Sequence, residues 1–233
     1  MLGIFVVALL TVSGCSAGTS DGEADIRTPD GSAFTTTFTR IAETGFIDMS
    51  LDFENPTDDP VTLVGRLVAR DARGAMLPDV KVSTAFGTEA GRAIVMPGVN
   101  VDFAQLEGRG EQEVREITLE NPEVSLVDVS RETEYVDLKP LDGDGRELEY
   151  DALAQQVSLE NPSPAPTRVR VVLMVLRAPR QGIPQEAAFV RDVATVKADA
   201  SSATVVDLDA RTRRLLRNYG LTSFVTLRPV LAP

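Results

Sequence analysis

The sequence predicts an all-β protein of two tandem β-sandwich domains, the second with one short helix near its end. Three observations predict it. First, the chain repeats itself. Phe53-Glu54-Asn55-Pro56 recurs as Leu159-Glu160-Asn161-Pro162, and Pro60, Leu67, Ala72 and Pro78 meet Pro166, Leu173, Ala178 and Pro184 at the same separation of 106 residues. A period near one hundred residues implies duplicated domains rather than a solenoid of small units. Second, short runs alternating apolar and polar residues recur between polar turns, the signature of half-buried strands in a sandwich. Third, a single segment, 207–219, carries a helical pattern.

In the first copy, Gly45–Phe53 places Ile47, Met49, Leu51 and Phe53 on one face. Asn55-Pro56 ends that strand, because proline lacks the ladder donor and asparagine caps its own turn. Val61–Arg70 alternates again, and Asp71-Ala72-Arg73-Gly74 signals a turn. Met96–Phe103 reads as a turn and strand, and Val114–Leu119 as another strand. A third Glu-Asn-Pro, at 120–122, is expected to mark the junction between domains. In the second copy, Asp142-Gly143-Asp144-Gly145 predicts a hairpin between strands near 135–138 and 147–150. Arg168–Leu176 turns apolar on both faces from Val171 onward, so it should be central and covered on its second side. The expected cover is the helix, with Asp209 as N-cap, Thr212, Leu215, Leu216 and Tyr219 on one face, and Gly220 as the stop. Leu221–Val230 is the closing strand.

The amino terminus carries the chain's address. Met1–Leu10 is an apolar run of signal-peptide length, too short for the ~20 residues that span a bilayer. It leads into Val12-Ser13-Gly14-Cys15, the chain's single cysteine. That tetrapeptide resembles the lipobox of bacterial lipoproteins. The resemblance implies cleavage after residue 14, diacylglycerol on the Cys15 thiol and a fatty acid, such as palmitate, on the new amino terminus. The expected organisation is a signal peptide at 1–14, an acylated tether at 15–32, and domains at 33–121 and 122–233. The expected location is extracytoplasmic, lipid-anchored to the bacterial cell membrane, and to the outer membrane in an organism that has one.

Composition narrows the chemistry. The formal charge is −12, which disfavours nucleic acid as a partner and leaves the acyl chains to supply membrane affinity. The absence of histidine removes every Ser-His-Asp, Cys-His and imidazole–metal arrangement. One cysteine allows no intrachain disulfide and no thiolate cluster. Without tryptophan, and with three tyrosines, an aromatic platform for sugars or bases is not expected. The chain is expected to be no enzyme and to need no cofactor or metal.

Two further resemblances concern the domains. The first copy, through Asn55, Asp71–Gly74 and Pro97-Gly98 followed by Phe103, resembles FxLYD-type immunoglobulin-like domains of bacterial envelope proteins. The second resembles the late-embryogenesis-abundant and water-stress β-sandwich family. It does so through Pro122-Glu123-Val124-Ser125-Leu126, Asn161-Pro162 and the closing helix and strand at 211–227, with Ser163 where that family carries Asn. Both resemblances imply immunoglobulin-like sandwiches; neither implies catalytic residues.

Candidate sites are few. Arg211, Arg213, Arg214 and Arg217 form a basic cluster on an acidic chain, suited to anionic lipid or an acidic partner, or else the solvated face of a packed helix. The Asn-Pro pairs read as turn chemistry. Asp142–Gly145 lacks the further ligands of a calcium loop, since Arg146 occupies the next ligand position. Asp58-Asp59 and Glu111–Glu116 are solvated carboxylates with no apolar cleft to separate their pKa values. The expected function is binding or scaffolding at the cell envelope, through sheet edges or loops, for an envelope protein partner. Two alternatives are a water-stress-type protective protein and an accessory lipoprotein of a secretion, transport or envelope-assembly complex.

Overall fold

A computed structural model describes residues 29–40, 49–131, 133, 135–177, 186–220 and 224–233. The repeat carries through to the backbone. In the first half, β1 (Thr35–Arg40), β2 (Met49–Asn55), β3 (Val61–Arg70), β4 (Val80–Thr84), β5 (Gly98–Gly108) and β6 (Glu116–Leu126) form two sheets, in the orders β1-β2-β5-β4 and β3-β6. In the second half, β7 (Asp137–Leu141), β8 (Gln156–Asn161), β9 (Thr167–Leu176), β10 (Ala187–Ala198), β11 (Ser202–Asp207) and β12 (Phe224–Leu231) form β7-β8-β11 and β10-β9-β12. Helix α1 (Ala210–Gly220) precedes β12. All strand pairs are antiparallel. The protein is all-β and sandwich-like, with one helix among the described residues.

β2 and β8 end on the paired asparagines, and β3 and β9 start and stop at repeat-equivalent positions. The copies differ at the fourth strand. β4 pairs with β5, whereas its counterpart β10 crosses to the other sheet and pairs with β9. Where β10 runs along β9, the first copy has, among the described residues, only isolated bridges, Val61 to Val95, Val64 to Ala90 and Arg70 to Met76.

Inward residues of both sheets make one core per half. Leu51, Phe53, Val61, Leu63 and Ile117 anchor the first, and Leu159, Val171, Leu173 and Leu216 the second. Each such buried side chain contributes about 1.5–3 kcal/mol relative to leaving it in water.

Three expectations are corrected. The junction expected at 121–122 lies inside β6. Asn121 takes a positive φ of 50°, and Asn121-Pro122 bulges opposite Gly65 where the β3–β6 register shifts. The strand pairs with β3 as far as Leu126, so the first half continues past the expected boundary. The residues of the expected second-domain opening, Pro122–Leu126, therefore belong to the first sandwich.

The second correction concerns β9. It is central, as its two-sided apolarity implied, but its second face is not covered by α1. Val172, Met174 and Leu176 pack against Ala85, Ala93, Phe86 and Phe103 of the first half. Leu216 of α1 instead joins the opposite face with Val171 and Leu173.

The third is Gly220. It ends α1 without entering the left-handed region; a Cβ there would lie 2.3 Å from the Cβ of Ala152, so close packing is what requires glycine.

Candidate binding surfaces

The Asn-Pro motif is turn chemistry in both copies. Asn55 Nδ2 donates to the carbonyls of Asp59 (2.9 Å) and Val95 (3.1 Å), while its Oδ1 accepts from the Thr57 backbone N–H at 3.0 Å. Asn161 repeats this with Ala165 (3.0 Å), Ala198 (3.3 Å) and Ser163 N–H (3.0 Å). Both side chains are buried, and Asn55 Oδ1 accepts in addition from the Thr57 hydroxyl at 2.7 Å.

Asp142–Gly145 is likewise a turn. Asp142 Oδ1 accepts from the backbone N–H groups of Asp144 (2.8 Å) and Arg146 (2.9 Å), and Gly145 takes φ +80°. The N–H of Arg146, ahead of the other donors, holds the Asp142 carboxyl below its ordinary range. The arm after the turn meets β7 only through the Leu141–Glu147 bridge, so the expected second strand is absent among the described residues. The turn at Asp71 uses the same device toward Arg73 and Ala75. Among the described residues no three acidic side chains gather around a cation-sized space.

Asp58 is exposed in its loop, and Asp59 pairs with Arg131 (2.5 Å). Glu111 and Glu113 flank a 3-10 turn without forming an acid–base pair. Cys15 and the tether before residue 29 lie outside the described residues.

The arginine cluster sits on α1. Asp209 caps the helix, its Oδ1 accepting from the Thr212 N–H at 2.5 Å; that bond, before all else, holds the Asp209 carboxyl below its usual range. Thr212 and Leu216 point into the core. At 100° per residue, Arg211, Arg214 and Arg217 fall on the side opposite them and are exposed, while Arg213 is half-buried on a flank. None of the four side chains makes a hydrogen bond or ion pair among the described residues, whereas ten arginines elsewhere pair with carboxylates.

Two surfaces were not read from the sequence. One is the free edge of β3. Hydrogen bonds from Gly65 N–H to Glu89 O and from Leu77 N–H to Ala69 O (both 2.9 Å) bracket it. Between them, alternation of the β3–β6 ladder turns the Leu67 N–H and C=O away from β6. A groove of about 490 Å³ lies there, lined by Gly65–Ala69, Met76–Val82 and Glu89. Met76, exposed at 48%, stands at its mouth.

The other is the joint between the halves. Arg170, 8% exposed at its side chain, donates to the carbonyls of Phe86 (2.9 Å) and Arg92 (2.5 Å) in the first half. It also pairs with Asp192 at 2.7 Å. Arg92 pairs with the same Asp192. Ile94 N–H donates to Leu231 O (3.0 Å), and Phe86 and Phe103 meet edge-to-face at 5.7 Å between centroids. No family model, curated protein or solved structure matches this chain.

Proposed function

We propose that this is a non-enzymatic, lipid-anchored envelope protein that holds a partner by strand addition. Cys15 carries the acyl anchor, and the sandwiches present a binding edge outside the cytoplasm. The open edge of β3 carries this reading. Its unpaired Leu67 backbone groups face a groove whose floor is apolar, and the second copy supplies the template for what fits. There β10 lies antiparallel along the same edge of β9, with Arg191 opposite Leu173, the repeat equivalent of Leu67. An extended partner segment with alternating apolar side chains would gain ladder hydrogen bonds from the edge and specificity from the Met76, Val80 and Val82 pocket.

A photo-crosslinking residue at Met76 in intact cells tests the edge, with the same residue at Thr37, exposed on the outer face of β1, as control. One recurrent partner segment captured at position 76 and absent at 37 is the expected result. Equal capture at both positions, or recovery of lipid alone, sinks the scaffold reading. Fractionation tests the anchor separately: Cys15→Ala should leave the membrane pellet, and its retention there would overturn the anchor.

A further inference from the structure

We infer that the segment added to the β3 edge presents a basic side chain opposite Leu67, with Glu89 as its counterion. This rests on the strand-addition reading and names the residue that reading leaves open. The first ground is the size of the opening. The bonds at Gly65 and Ala69 leave four residue steps between them, about 13 Å at ~3.3 Å each, and the Leu67 pair is what stays open. A guest therefore joins the ladder through one residue. The side chain of that residue shares the face of Leu67, which is the inner one, 7% exposed and packed in the first core. Recognition rests on the single side chain that enters the groove.

The second ground is what the second half places at the same point. Opposite Leu173 stands Arg191, its side chain 23% exposed and its guanidinium paired with Asp209 at 3.2 Å. An arginine so placed can lay its aliphatic stem along an apolar floor and carry its charge to a carboxylate. The first half has the floor and the carboxylate. Leu67, Leu77, Val80 and Val82 pack on the first core. Glu89 spans the two strands that wall the groove. Its carbonyl accepts from Gly65 N–H on β3, and its carboxylate accepts from the Thr84 N–H (3.1 Å) and the Thr84 hydroxyl (2.5 Å) at the end of β4. A carboxylate offers about four acceptor positions, and half-buried Glu89 pairs with no cation among the described residues. The other charges lining the groove are otherwise engaged. Asp79 pairs with Arg109 and Arg66 with Glu120, while Lys81 alternates to the other face of β4, where it lines a separate hollow with Ser83 and Gln105.

Capped tripeptides test this: acetyl-Val-Arg-Val-amide and its counterparts with norleucine or Glu at the centre, titrated into the isotope-labelled full-length protein and followed by amide chemical shifts. The arginine peptide is expected to shift the Leu67 and Glu89 amides and to bind about tenfold more tightly than the norleucine peptide at low salt. That advantage should shrink as salt rises, and the Glu peptide should bind most weakly. Glu89→Gln keeps an acceptor for the Thr84 N–H; it should abolish the arginine preference and leave the norleucine peptide's affinity unchanged. Should that variant fail to fold, the peptide series and its salt dependence on the parent protein decide alone. An arginine preference that is absent from the parent, or that survives Glu89→Gln, overturns the inference. The two readings fail apart. If all three peptides shift Leu67 alike, strand addition stands and the basic anchor falls; if none shifts it, both fall.

Discussion

Asn55 and Asn161 hold the same contacts at the same point of each module, and half of each arrangement was legible in the sequence. An Asn before Pro caps its own turn, and Thr57 N–H and Ser163 N–H accordingly reach the side-chain oxygens. The other half, the bonds to Val95 and Ala198 carbonyls, comes from strands remote in sequence and left no local signal. Arg170 is the sharper case. Its place in the alternating stretch Arg168-Val169-Arg170 reads as a solvated side chain, yet it is buried because the partner surface belongs to the other half of the chain. Asp151 was equally hidden. Burial beside β12 pushes its carboxyl above the ordinary value, against the opposing hydrogen bond from Leu227 N–H (2.9 Å). The folded state therefore holds this proton more tightly than the unfolded chain does. Its contribution to stability is fullest below the ordinary aspartate pKa of about 4 and falls as pH rises through the raised value. Asp151→Asn keeps an acceptor for Leu227 and removes the penalty of a buried charge. Its urea midpoint should exceed the parent's at pH 7, with the advantage vanishing below about pH 4. An advantage that persists unchanged in acid would contradict this.

At the scale of elements, strands with one buried face were legible because a period of two is a strong signal; β3 and β9 run where their alternation placed them. What misled was repetition of a motif in a different context. Glu120-Asn121-Pro122 shares its letters with the strand-ending tripeptides, but here the chain does not stop. Asn121 adopts φ 50° and the pair is absorbed as a bulge against Gly65, which lets β6 run on to Leu126. A bulge spends no apolar pattern and so leaves no periodic trace. Asparagine tolerates the left-handed region, glycine does so freely and a β-branched residue does not. Asn121→Gly should therefore leave the denaturation midpoint nearly unchanged, while Asn121→Val should cost about 1–3 kcal/mol. Equal stability of the two variants would mean that the bulge is not held in the observed conformation. α1 shows the opposite balance: its cap and the burial of Thr212 and Leu216 were legible, whereas Tyr219, expected on the same face, stays exposed near the helix end, and the surface the helix covers was not legible, because both faces of β9 are equally apolar and the sequence does not say which meets which.

At the scale of the molecule, the two sandwiches are not beads on a string. The face of β9 that the helix leaves open is closed by Ala85, Phe86, Ala93 and Phe103, and a buried guanidinium sits in the joint. The joint also bears on the proposed strand addition, since it ties the half that carries the β3 edge to the half that follows it. Arg170 supplies donors to two carbonyls of the first half and to Asp192 of the second, so it ties the cooperativity of the halves together. Arg170→Met fills comparable apolar volume yet leaves the Phe86 and Arg92 carbonyls without their buried donor, and leaves Asp192 with Arg92 alone. Removing one member of such a buried charged network costs about 3–5 kcal/mol. The loss falls on the joint rather than on either core, because the cores around Phe53 and around Leu173 keep their own neighbours. The parent should melt in one calorimetric transition and Arg170→Met in two, with the lower one moved down in temperature. Hydrogen exchange would locate the loosened amides at 84–94 and 187–192. A variant that still melts as a single unit, displaced by less than about 1 kcal/mol, would show that apolar contact alone couples the halves and that the guanidinium only fills the space between them.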